Sequence, residues 1–132
     1  MLRGESSRYE HLLAYGDVDI ALDPYPLGGG VSTYEALWMG VPVVAKLGDT
    51  QAGRVAGAII SAVGLADWVA DDDDDYVAIA IEHARDIARL GALRRSLRAR
   101  VATSDAGNPE RYTRTVEAAY RAMWRQWCRQ DF

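Results

Sequence analysis

The sequence predicts an α/β fold with a short parallel sheet, and three observations carry that prediction. The apolar run Ile20-Ala21-Leu22 stops at Asp23-Pro24, glycines follow at 28–30, and a helix opens at Val31 or Ser32 and closes at Gly40. Pro42 to Ala45 is a second apolar run. Strand, loop, helix and strand in so little chain leave room only for a right-handed parallel crossover. A helix over 51–63 and a third short strand over 67–70 repeat the alternation, and everything after it is helical in pattern. The expectation is a Rossmann-like parallel sheet of about three or four short strands with helices on both faces, ending in a long helix. Residues 1–70 form the α/β core and 71–132 a helical segment of one domain.

The elements can be justified in chain order. Met1-Leu2-Arg3-Gly4 reads as the end of a strand entered midway, as in a fragment or a truncated reading frame. Ser6-Ser7 starts a short helix with Tyr9, Leu12 and Leu13 toward the core, ended by Gly16-Asp17. The helix over 51–63 turns Val55, Ala56, Ile59, Ile60 and Val63 to one face and stops at Gly64. Five aspartates at 71–75 precede a periodic segment and read as a helix start, where the positive end of the helix dipole favours carboxylates. They lack the glycine turn, alternating spacing and closing Glu of a calcium loop. From Tyr76 to Leu90 the inward face is Val77, Ala80, Ile81, Ala84, Ile87 and Ala88, and Gly91 breaks the helix. The next helix turns Leu93, Leu97 and Val101 inward and Arg94, Arg95, Arg98 and Arg100 mostly outward. Pro109 suits the first turn of the last helix. That helix carries Tyr112, Val116, Tyr120, Met123, Trp124 and Trp127 at helical spacing, with the residues through Tyr120 expected in the core.

Composition excludes several classes of function. The 132 residues suffice for one domain that buries roughly two-thirds of its unfolded surface. A net charge of −4, with acids outnumbering bases, speaks against a nucleic-acid partner. The lone Cys128 can form neither an internal disulfide nor a cysteine zinc site, which suits a reducing cytoplasm. No apolar run approaches the ~18 residues of a membrane span.

The chemistry of the centre is that of an anion site. Glycines clear side chains where the backbone enters the helix, so amides of its first turn can face a phosphate. Ser32 and Thr33 either add hydroxyl donors there or serve only as a cap. Glu35 lies about one turn further in, placed to accept from a sugar diol. Lys46 lies on the ligand-binding edge of the sheet but is left without a role.

The run Asp19-Ile20-Ala21-Leu22-Asp23-Pro24-Tyr25-Pro26, the glycine loop, and Glu35-Ala36-Leu37-Trp38-Met39-Gly40-Val41-Pro42-Val43-Val44 resemble the nucleotide-binding half of the SPINDLY and O-linked N-acetylglucosamine transferase family. The resemblance implies the C-terminal, donor-nucleotide half of a two-domain GT-B glycosyltransferase. That enzyme moves N-acetylglucosamine or a related sugar such as fucose from a nucleotide-diphosphate sugar to Ser or Thr of proteins, without metal or other cofactor. A GT-B transferase of another kind, with a Glu-Ala-Leu-x-x-Gly-x-Pro-Val-Val signature, would share Glu35 but not the Leu-Trp and Asp-Pro wording.

The resemblance also implies site residues. It makes His11 a neutral platform stacked on the uracil base, because His11 to Glu35 keeps the family's distance. Ser6 and Arg8 align with neighbours that meet the base through backbone and the ribose or phosphates through a basic side chain. With Gly29, Gly30, Val31, Ser32, Thr33 and Glu35 these make up the implied donor site. Val31 stands where the family favours Thr and Gly28 where it favours Asn, so weaker phosphate binding is expected. Arg54 is implied to pin its helix to the loop after the second strand. No catalytic residue is implied here, since the family's Lys and proposed base lie upstream. The implied partners are a nucleotide sugar or nucleoside diphosphate, and either the N-terminal half of the enzyme or a second copy of this chain. Either protein partner would meet the last helix, where Met123, Trp124, Trp127 and Phe132 are expected to be partly bare.

Overall fold

A computed structural model describes residues 4–105 and 107–129. The expected strand end at the N-terminus and the bare Phe132 therefore fall wholly or largely outside the described residues. Helix α1 (Arg8–Ala14) leads into strand β1 (Ala21–Leu22), helix α2 (Val31–Trp38), strand β2 (Val43–Lys46), helix α3 (Gln51–Ala62) and strand β3 (Val69–Ala70). Helices α4 (Asp73–Arg85), α5 (Ile87–Thr103) and α6 (Pro109–Trp127) follow. The sheet runs β1-β2-β3, all parallel, with Ala21 beside Val43 and Ala45 beside Val69.

The central strand explains the layering. Val43, Val44 and Ala45 are all buried, and successive strand residues face opposite sides, so both faces of the sheet are covered. Leu37, Val41, Ile60, Trp68 and Leu97 close the core around them. Gly40 has φ +87°, and a Cβ there would meet the Arg94 carbonyl at 2.8 Å, so only glycine lets α2 end this close to α5. The predicted Arg54 contact is present: its Nε donates to the Gly48 carbonyl at 2.8 Å. The aspartate run starts α4 as expected, with the Asp72 carboxylate accepting from the Asp75 amide.

Several expectations need correction. Helix α1 buries none of its residues, and Tyr9 and Leu13 are exposed; the core is reached instead by Tyr15, Val18 and Ile20 just after it. Residues 66–68 form a single 3-10 turn, leaving only Val69–Ala70 as strand. The long helical stretch breaks at Asp86, not Gly91. Asp86 leaves helical geometry (φ −101°, ψ 77°) and its carboxylate caps α5 by accepting from the Arg89 amide at 2.8 Å. Gly91 stays helical because its cost of about 1 kcal/mol is outweighed by burial of Leu90, Leu93, Leu97 and Val101, each worth roughly 1.5–3 kcal/mol. Helix α4 is rotated from the expected face: Tyr76, Ile79, Ala80 and His83 turn inward, while Val77 and Ile81 are exposed, as is Ile87 at the start of α5.

Arg94 is not part of a solvated face. Its guanidinium donates to the carbonyls of Val18 and Tyr15, both at 2.7 Å, and so ties α5 to the segment that follows α1. Helix α6 buries no residue, and Tyr112 and Tyr120 are exposed like Met123, Trp124 and Trp127, so its aromatic stripe is not core. Among the described residues no helix is long and apolar enough to cross a membrane.

Candidate nucleotide site

The site forms at the carboxyl end of β1, where Asp23 continues the ladder by donating its amide to the Val44 carbonyl at 2.9 Å. From there the chain passes through Gly28, Gly29 and Gly30 into α2. Among the described residues, five of the six helices cap themselves: the side chains of Ser7, Thr50, Asp72, Asp86 and Asn108 each accept from an amide of the following turn. Helix α2 begins at Gly30 with no side-chain cap. The amides of Val31, Ser32 and Thr33 are thus the orphan donors of an open helix start, carrying its partial positive charge.

A second group is unpaired at the same place. Thr33 is only 2% exposed, and its hydroxyl has no hydrogen-bond partner. Such a buried orphan is rare, because leaving it unpaired costs about 1–3 kcal/mol. A Cβ built on Gly29 would fall 2.6 Å from Thr33 Oγ1, 2.8 Å from Ser32 Oγ and 2.9 Å from Asp23 Oδ1, so both hydroxyls crowd the glycine turn. The Gly29 amide itself already donates to Asp23 Oδ1 at 2.7 Å. Gly29 therefore contributes room, while the open amides are those of 31–33.

Helix α1 brings the remaining groups. Arg8 Nη2 lies 3.2 Å from one oxygen of Glu35, and His11 Nε2 lies 3.5 Å from the other. The His11 and Tyr15 rings stand nearly perpendicular with centroids 5.4 Å apart, and the Tyr15 hydroxyl donates to the Ser32 carbonyl at 3.4 Å. Burial, and secondly the Glu35 charge, push the Tyr15 phenol up, keeping it a donor. Of the residues implied from sequence, Arg8, His11 and Glu35 form one cluster, and Ser32 joins it through Tyr15. Gly29, Gly30, Val31 and Thr33 line the neighbouring turn; Ser6 stands exposed in the loop before α1. Lys46 is engaged elsewhere, 2.6 Å from Asp73 Oδ1 and over the Tyr25 ring.

The start of α1 is itself sensitive to acid. Ser7 and Glu10 form a reciprocal cap, and the Ser7 amide donating to the Glu10 carboxylate holds that carboxyl below its ordinary value. A depressed carboxylate stabilises the fold above its unfolded pKa and ceases to do so as pH falls through its folded pKa. The amides of Glu10 and His11 are expected to lose exchange protection in acid before those of β2. Glu10→Gln should flatten that dependence, and an α1 equally ordered at all acid pH would contradict it.

Sequence reasoning missed Asp23, Tyr15 and Arg94. Only the Asp23-Pro24 stop at a strand end hinted at the first.

A parallel sheet with an open helix start at the carboxyl end of its first strand is the arrangement of an α/β anion-binding domain. The chain belongs to Glycosyl transferase family 41, whose sequence model matches residues 4–116. It is 41% identical over 123 residues to the probable UDP-N-acetylglucosamine--peptide N-acetylglucosaminyltransferase SPINDLY of Oryza sativa subsp. japonica, covering 93% of this chain and 13% of that protein. The probable UDP-N-acetylglucosamine--peptide N-acetylglucosaminyltransferase SEC of Arabidopsis thaliana is 29% identical over 90% of this chain and 12% of its own length. Among solved structures, a K341M mutant of the Thermobaculum terrenum O-GlcNAc transferase superposes with a TM-score of 0.78 at 40% identity, covering 93% of this chain and 24% of that one. The chain thus spans about an eighth of the curated relatives it matches.

Proposed function

We propose that this chain is the donor-nucleotide-binding part of a protein O-glycosyltransferase that moves N-acetylglucosamine or a related sugar from a nucleotide-diphosphate sugar to Ser or Thr. The observation that supports it most is the uncapped start of α2 beside the buried, unpaired Thr33 hydroxyl. A diphosphate would satisfy both at once. Glu35 would accept from the ribose hydroxyls and the His11 ring would carry the base, with Arg8 supplying positive charge. In the whole enzyme those same amides would stabilise the leaving diphosphate as the sugar bond breaks. Val31 offers no hydroxyl there, so binding is expected to be weak.

The chain alone is proposed to lack turnover, because it spans only about an eighth of the length of the curated relatives it matches. Purified protein, labelled UDP-N-acetylglucosamine and an acceptor peptide should give no incorporation; label in the peptide would contradict this. A cytoplasmic setting suits the lone, exposed Cys128.

A second reading, a dimerising module, is favoured by the bare stripe of α6. Under it, sedimentation velocity would show concentration-dependent dimers that Trp124→Glu abolishes. A monomer at all concentrations would remove this reading.

A further inference from the structure

We infer that Asp23 is a positioning residue for the nucleotide: it fixes the glycine turn so that the amides of 31–33, and not that of Gly29, receive the diphosphate. The inference rests on the nucleotide reading above and adds a residue to it.

Asp23 joins three parts of the fold. Its amide donates to Val44 of β2, its carbonyl accepts from the Tyr76 hydroxyl of α4 at 3.0 Å, and its carboxylate accepts from Gly29 in the loop. The residue is only 9% exposed, and burying a carboxylate is costly unless it is well bonded. The 2.7 Å contact to Gly29 is that of a short, charge-assisted bond. Both carboxylate oxygens lie against the glycines: a Cβ on Gly28 would fall 2.8 Å from Oδ2, and one on Gly29 would fall 2.9 Å from Oδ1.

Three consecutive glycines have wide backbone freedom and no side chains to order them. Without Asp23 the Gly29 amide becomes another orphan donor, free to compete for the anion or to swing the loop over the helix start. With Asp23 in place that amide is claimed, Gly30 is held at the helix entrance, and α2 opens with its own three amides free. A loop ordered before binding also lowers the entropic cost of binding.

The test compares wild type, Asp23→Ala and Asp23→Asn, using uridine diphosphate and uridine as probes and the exchange of the Gly29 amide by NMR. Asp23→Ala should weaken uridine diphosphate at least tenfold, leave uridine within about threefold, and speed Gly29 exchange at least tenfold. Asp23→Asn keeps an acceptor oxygen, and should hold Gly29 protected and the diphosphate within about threefold. Should the Ala variant fail to fold, Asp23→Asn decides alone: protected Gly29 with tenfold weaker diphosphate binding would overturn the inference. Equal diphosphate binding or equal Gly29 exchange in wild type and Asp23→Ala would also overturn it. Wild type that binds no nucleoside diphosphate defeats the nucleotide reading first, and this inference with it.

Discussion

Glu35→Ala is expected to lower affinity for uridine diphosphate by roughly tenfold to a hundredfold while leaving the fold intact. The carboxylate is only 18% exposed and receives Arg8 on one oxygen and His11 on the other. Hydrogen bonds to a charged group contribute about 1.5–3 kcal/mol each, so losing one bond to a ribose hydroxyl accounts for that range. Stability should change little. The Arg8 side chain is 79% exposed, and ion pairs of that kind contribute about 0–1 kcal/mol. His11→Ala should give a comparable loss, because base stacking on a flat ring is worth about 1–3 kcal/mol. Titration calorimetry with thermal unfolding as a control separates these outcomes, and a variant that binds as wild type does would remove Glu35 from the site.

Trp68→Ala should destabilise the protein by about 3–5 kcal/mol, the range for deleting a large buried aromatic. Trp68 is fully buried in the core, and its ring stacks on His83 at 4.0 Å with an interplanar angle of 11°. Its removal leaves a void beside β3 and strips His83, which is buried as well. Trp68→Phe should cost much less. The Trp68 indole N–H is buried without a partner, so phenylalanine removes a group whose unpaired burial itself costs about 1–3 kcal/mol. Urea unfolding of the three proteins measures the difference. A Trp68→Ala loss below about 1 kcal/mol, or a Phe variant as unstable as the Ala variant, would contradict this account of the core.

How far the sequence could be read depends on how local the chemistry is. The strand, loop, helix and strand over 20–46 were legible because Pro24, the glycines and Gly40 punctuate them, and Val43 and Val44 fit only a buried strand. Glu35 was legible because helical phase alone puts it one turn beyond the start. Arg8 and His11 are more than twenty residues from Glu35, and only family resemblance linked them. Asp86 was missed because a carboxylate that caps the next helix competes locally with a glycine that merely weakens one. Arg94 bonds to carbonyls 76 and 79 residues away, a pairing that no periodicity encodes. The face of α6 was misread for a simpler reason: its aromatic spacing is that of a packed helix, but the helix buries none of its own residues.

The central claim is that the open start of α2 receives the diphosphate of a nucleotide. Titration of the wild-type chain with uridine diphosphate, then other nucleoside diphosphates, tests it most directly when Val31, Ser32 and Thr33 amide shifts are followed in the same samples. The account predicts micromolar to millimolar binding with those three amides moving most. No binding of any nucleoside diphosphate, or binding that leaves those amides unmoved, would contradict it.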